Sequence, residues 1–227
     1  MTSDPTDADH PRHHARHGHA GGDGDGDGGH PGAIWDERYA AADWSVEPDE
    51  TLVELAGTLA PGRALDLGCG TGRNAIWLAG RGWRVTGVDA STVGLSQARE
   101  RAHRAGLDLE LVNGDVRTYV PQPASYELVV VANVHLAPGE RDHLFVHAAA
   151  AVSPGGHLFV VGHHVDSLGR AGPPAPERLY TEELLARLLA PFEVVVRRHE
   201  RPVADGGAPL IDAVAWAAAP SSDTVLP

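Results

Sequence analysis

An α/β fold, with a mostly parallel sheet covered by helices on both faces, is what the sequence predicts, and three observations carry the prediction. Short apolar runs alternate with segments whose apolar residues recur every three or four positions, the pattern of successive βα units. Residues 128–131 are apolar without interruption, as in a strand buried on both faces. A glycine-rich turn, Gly68 to Gly72, stands between a predicted strand and a predicted helix, where ligands of such sheets bind.

Each element follows in order. Residues 47–59 read as a helix with Leu52, Val53, Leu55, Ala56 and Leu59 on one side, closed by Pro61 and Gly62. Arg63–Leu67 is a strand, and residues 73–79 form the helix after the glycine turn. Residues 83–88 are a second strand, and Ser91 starts a helix carrying Leu95, Ala98, Ala102 and Ala105. Strands over 107–112 and 128–131 follow, then a helix over 139–152 and a strand over 158–161. Residues 166–176 are a Gly/Pro-rich loop, Thr181 precedes a helix bearing Leu184, Leu185, Leu188 and Leu189, and strands over 192–197 and 211–217 finish the domain.

Residues 1–32 differ in kind. Glycine, histidine and aspartate fill 20 of these 32 positions, too little apolar surface to offset the entropy of ordering, so a disordered tail is expected. The domain is then 33–219, with a short C-terminal tail over 220–227. The tail histidines His10, His13, His14, His17, His19 and His30 offer imidazoles for a transition metal. No metal site is expected in the folded part.

Composition excludes several chemistries. The 227 residues contain no lysine, so all 18 basic residues are arginines. A phosphate-binding loop, a Schiff-base enzyme and a Tyr/Lys dehydrogenase each lack their essential residue. Cys69 is the one cysteine, which rules out a disulfide framework. The formal charge of −13, of which −4 lies in residues 1–32, opposes nucleic-acid binding. No apolar stretch reaches the roughly 20 residues of a membrane span, and the polar start has no signal-peptide core. A cytoplasmic protein acting on a small molecule is expected; the oligomeric state is not legible.

The chemistry gathers where strands end. Gly68, Gly70 and Gly72 let the backbone turn sharply and approach a ligand. Asp89 closes the second predicted strand, where a carboxylate takes ribose hydroxyls. Asp115 follows the third, where a carboxylate can accept from an adenine amine. Asp66 adds a strand carboxylate suited to orienting a cationic amino group. A dinucleotide site would read G-x-G-x-x-G, but Arg73 stands at the third glycine position.

In order, LDLGCGTG, VTGVDAS, NGDV, YELVVVANV and VSPGGHLFVVG resemble the class I S-adenosylmethionine-dependent methyltransferases over residues 35–218. WDERY and GCGTGRNAIWLA are similar to the small-molecule branch around tellurite-resistance and thiopurine-type methyltransferases. The resemblance implies a Rossmann-like sheet of seven strands with the last antiparallel, and S-adenosyl-L-methionine as cofactor. It implies that Gly68, Cys69, Gly70 and Gly72 line the methionine part, that Asp89 binds the ribose and that Ala90 packs on the adenine. Asp115 and the Val116 amide would read the adenine edge, Asn133 would stand by the methionyl amine, and Trp35 and Tyr39 would form a lid over the cofactor or pack a first helix on the core.

Methyl transfer from a sulfonium is a direct displacement, so the protein chiefly aligns the acceptor, which can be a thiol, a metalloid or an oxygen or nitrogen nucleophile. An acceptor that arrives protonated needs a base; His135 is the first candidate and His163 the second. His143 and His147 share a helix face but lack the glutamate of a zinc-protease helix. Two rival readings remain: an NAD-dependent oxidoreductase, opposed by the glycine spacing and the absence of lysine, and a non-catalytic metal-binding protein acting through the tail.

Overall fold

A computed structural model describes residues 32–203 and 206–221 of the chain. Seven strands, β1 (Arg63–Leu67), β2 (Arg84–Asp89), β3 (Glu110–Asn113), β4 (Tyr126–Ala132), β5 (Val152–His163), β6 (Glu193–Arg201) and β7 (Leu210–Ala218), form one sheet in the order β3-β2-β1-β4-β5-β7-β6. β7 runs antiparallel to both neighbours, and the pairings from β3 through β5 are parallel. The helices are α1 (Ala33–Ala41), α2 (Glu50–Ala56), α3 (Arg73–Gly80), α4 (Thr92–Arg104), α5 (Pro138–Ala151) and α6 (Glu182–Leu188).

Strand alternation divides the apolar residues into two cores. Ala64, Leu128, Val130, Phe159, Val161 and Val214 pack against α2 and α3 through Leu52, Ala56, Ala75 and Leu78. Leu65, Leu67, Val129, Val131, Leu158 and Val160 pack against α5 and α6 through Leu144, Phe145, Ala148, Leu184 and Leu185. The uninterrupted apolar run in β4 thus serves both faces, as a central parallel strand requires.

Where element ends differ from the sequence expectation, local hydrogen bonds account for it. The helix expected over 47–59 is only α2, because the Asp49 carboxylate accepts from the Thr51 and Leu52 amides and so fixes its start. The third strand begins late: the Leu107 amide still donates to the Ala102 carbonyl, closing α4. The fifth strand is longer than expected and starts directly after α5 with a register shift. α1 precedes every element placed by the sequence, and Gly32, assigned to the tail, is its N-cap. The remaining tail residues, with their histidines, and residues 222–227 lie outside the described residues.

Candidate cofactor site

The carboxyl ends of β1, β2 and β4 converge on the glycine turn. Gly68, Gly70 and Gly72 have φ of 78°, 53° and 82°, left-handed values open to glycine. A side chain is excluded by space as well: a methyl on Gly68 would meet Val134 after β4, on Gly70 the Tyr39 ring, and on Gly72 the Ala98 methyl of α4. The turn is tied to β2 by the Gly68 and Cys69 amides, which donate to the Val88 carbonyl at 2.8 and 3.0 Å.

Asp89, the last residue of β2, is 7% exposed. Its Oδ2 accepts from the Gly70 amide and its Oδ1 from the Ser91 amide, both at 2.8 Å. Burial raises its pKa, opposed by those two amides. A carboxylate offers about four lone-pair positions, so both oxygens keep capacity for ligand hydroxyls. Ala90 is half-buried, and its carbonyl accepts from the Asn113 side chain at 2.9 Å.

Asp66 sits within β1, 1% exposed, and its Oδ2 has no hydrogen-bond partner among the described residues. Burial pushes its pKa up to about 7 against the pull of Arg73, with Asp89 adding to the rise. An orphaned carboxylate oxygen is costly and is the feature that a cationic ligand group would satisfy. Cys69 is buried beside it, and burial together with Asp66 and Asp89 pushes its thiol up, which makes it a small packing residue and a poor nucleophile.

Asn133 takes a left-handed φ of 58° at the end of β4, a conformation that asparagine tolerates and that concentrates at functional sites. Its amide donates to the Val161 carbonyl at 2.8 Å, and its neighbour Val134 abuts Gly68. This brings the loop after β4 against the glycine turn.

Asp115 departs from the expectation. It lies past the end of β3, and its carboxylate receives the Arg117 guanidinium through Nε at 3.0 and 2.9 Å, with an ion pair at 2.7 Å. Although burial alone would raise its pKa, Arg117 brings it below the usual carboxylate range. An adenine amine would share this carboxylate with Arg117 or displace it. Val116, half-buried, packs on the core beneath.

α1 covers the turn. Tyr39 lies against Gly70 and Gly94, stacked on Trp35 at 5.9 Å and edge-on to Trp44 at 5.1 Å. Burial, then Asp89, raises its hydroxyl pKa, so it stays a neutral donor. Asp36 fastens the helix: its Oδ1 accepts from the Ser91 hydroxyl at 2.5 Å and from the Val93 amide at 3.0 Å. Sequence reasoning singled out the aromatics of WDERY and missed Asp36, although a carboxylate suits the N-terminus of a helix such as α4.

The two histidine candidates lie together at the end of β5, their rings stacked at 5.1 Å and 10°. His135 has both ring nitrogens engaged, Nδ1 3.2 Å from the Arg178 carbonyl and Nε2 3.4 Å from the His163 amide. That makes it a poorer proton acceptor than the sequence suggests. His163 Nδ1 lies 2.8 Å from Asp212 Oδ1, and Arg201 Nε 3.1 Å from Asp212 Oδ2. Asp212 was missed, though a lone carboxylate inside the apolar run of β7 was its signal. Among the described residues no group of three or more His, Cys, Asp or Glu is placed to hold a metal ion.

Residues 64–156 match the family described as "Methyltransferase domain". The trans-aconitate 2-methyltransferase of Paracidovorax citrulli is 36% identical over 121 residues, covering 52% of this chain and 45% of that protein. The ribosomal RNA small subunit methyltransferase C of Alcanivorax borkumensis is 32% identical over 108 residues, covering 45% of this chain and 33% of that one. The chain therefore spans less than half the length of these curated relatives. A SAM-dependent methyltransferase structure from Methanosarcina mazei shares the fold, with TM-score 0.62, 21% identity and coverage of 74% of this chain and 98% of that one.

Proposed function

We propose that this chain, which has the fold of class I S-adenosylmethionine-dependent methyltransferases and matches a methyltransferase domain over residues 64–156, moves a methyl group from S-adenosyl-L-methionine to a small-molecule acceptor. The observation that carries the reading is the glycine turn held by Asp89 beside the orphaned oxygen of Asp66. A left-handed glycine path, a ribose-competent carboxylate and an unsatisfied anion together fit a cationic adenosine ligand.

When bound, S-adenosylmethionine supplies a methyl carbon on a positively charged sulfur. The protein's part is holding and shielding. In this reading Gly68, Cys69, Gly70 and Gly72 line the methionine portion, Asp66 and Asn133 orient its amino group, and Asp89 accepts from the ribose hydroxyls. Ala90 packs on the adenine, whose edge meets the Val116 amide and the Asp115–Arg117 pair. Trp35 and Tyr39 close over the top, excluding water from a displacement that depends chiefly on alignment. Residues 33–219 are the catalytic unit of the proposal.

A small acceptor is favoured over RNA by the formal charge of −13, because RNA binding depends on neutralising phosphates with basic side chains. A cytoplasmic location is part of the same proposal, in keeping with a single cysteine. The test is a transfer screen: the full chain with labelled methyl donor, offered thiols, phenols, amines, reduced metalloids and ribosomal RNA. Label is expected in a small-molecule product. Label in RNA alone, or in nothing, would contradict the proposal.

A further inference from the structure

We infer that His143 and His147 of α5 form a binding site for one divalent transition-metal ion, Cu²⁺ or Ni²⁺ ahead of Zn²⁺. The site goes beyond the methyltransferase reading and does not rest on it.

The helix makes the pair. α5 runs from Pro138 to Ala151, and at 3.6 residues per turn two positions four apart stand one above the other on the same face. Here the rings have turned toward each other, with centroids 4.3 Å apart and planes at 63°. Leu144, Phe145 and Ala148 turn into the core and hold the helix to the sheet, which leaves His143 exposed and His147 half-buried. No hydrogen bond or ion pair engages either ring among the described residues. Each neutral imidazole has one nitrogen with a lone pair, so two nitrogen ligands stand side by side at the surface with no existing bond to break.

The ligand type selects the ion. Mg²⁺ and Ca²⁺ take oxygen ligands, whereas imidazole suits Zn, Cu and Ni. Metal–nitrogen bonds of about 2.0 to 2.1 Å allow a single ion to bridge rings at this separation. Zinc sites are built from three or four side chains in a tetrahedral array, and among the described residues no group of three or more His, Cys, Asp or Glu is placed for that. Two adjacent nitrogens, with water in the remaining positions, fit the tetragonal nitrogen and oxygen coordination of Cu²⁺ and Ni²⁺. The formal charge of −13 favours the approach of any cation.

The same residues limit what the ion does. Leu144 follows His143 directly, where a zinc-protease helix carries its general-base glutamate, so the site binds and has no hydrolytic chemistry. An ion held by both rings ties successive turns of α5 together. It therefore favours the folded chain, because the four-residue spacing aligns the rings only while the helix is formed. Six further histidines lie in residues 1–32 and offer imidazoles to the same ions. Linkage separates the two sources, since an ion raises Tm only as far as it binds the folded chain more tightly than the unfolded one.

The test uses thermal melts of the full chain with nickel chloride, comparing wild type with His143→Gln, His147→Gln and the double variant Asp142→His/His143→Gln. The double variant keeps the number of histidines but spaces them by five, which puts the rings about 140° apart around the helix. Asp142 and His143 are exposed, so melts without nickel report the fold of each variant separately. Ni²⁺ at about a hundred times its Kd is expected to raise the wild-type Tm by about 5 to 10 °C, and all three variants are expected to lose most of that shift. In proton spectra, substoichiometric Ni²⁺ is expected to broaden the His143 and His147 ring signals together. No shift in wild type, a full shift in either single variant, or a shift kept in the spacing variant would overturn the inference. Broadening confined to the histidines of residues 1–32 would overturn it as well.

Discussion

Asp89→Ala is expected to weaken binding of S-adenosylhomocysteine, the demethylated product, by about 2 kcal/mol or more, roughly 30-fold, because each hydrogen bond to a charged acceptor contributes about 1.5 to 3 kcal/mol. The carboxylate has two tasks. Its oxygens already receive the Gly70 and Ser91 amides at 2.8 Å, and the ligand hydroxyls would use what capacity remains. The substitution would therefore remove the proposed ribose contact and also free the Gly70 amide in the turn and the Ser91 amide at the start of α4. Titration calorimetry reads the first effect and a thermal melt without ligand reads the second. Unchanged affinity would remove Asp89 from the ribose, whatever the melt shows.

Asp66→Asn is expected to raise the stability of the ligand-free protein at pH 8 while weakening cofactor binding about tenfold or more. The sign follows from the pKa. Asp66 rises from a usual value of 3.8 to about 7 on burial, so the folded state resists its ionisation. Its contribution to stability is fully present below the unfolded pKa and is lost as pH rises from about 4 through 7. At one unit per about 1.4 kcal/mol, the loss by pH 8 amounts to a few kcal/mol. Asparagine does not titrate, so melts of variant and wild type should diverge as pH rises and converge near pH 4. A pH-independent difference would show that Asp66 is satisfied in the fold and needs no cationic ligand.

The sequence carried most of the scaffold. β1 emerges with the boundaries expected, and the helices after Gly72, Ser91 and Thr181 start where caps and turns place them, because apolar periodicity and capping are local signals. Ends went astray where a local backbone or capping hydrogen bond, invisible to apolar periodicity, decided them, as with the Leu107 amide that bonds Ala102 and closes α4. The glycine turn, Asp66 and Asp89 were legible for a similar reason: their chemistry lies in one stretch of strand, turn and strand.

What escaped was contact between distant segments. Nothing near Asp36 announces that it caps α4 across 55 residues, and nothing near His163 announces Asp212, 49 residues on. His135 attracted the base assignment as a strand-end histidine, but only the fold reveals that the Arg178 carbonyl occupies its Nδ1. Asp115 likewise appeared as a bare carboxylate, although Arg117 two positions later is bound to it in space. Short-range pattern locates the proposed cofactor side of the site, whereas the cluster of His135, His163 and Asp212 is assembled from β5, β7 and the loop after β4 and depends on tertiary pairing.

The most direct test of the central claim is a calorimetric titration of the full chain with S-adenosylmethionine, S-adenosylhomocysteine and NAD in parallel. Saturable binding of the first two and none of the third is expected, since Arg73 replaces the third glycine of a dinucleotide turn. Binding of NAD with no heat from either sulfur ligand would contradict it.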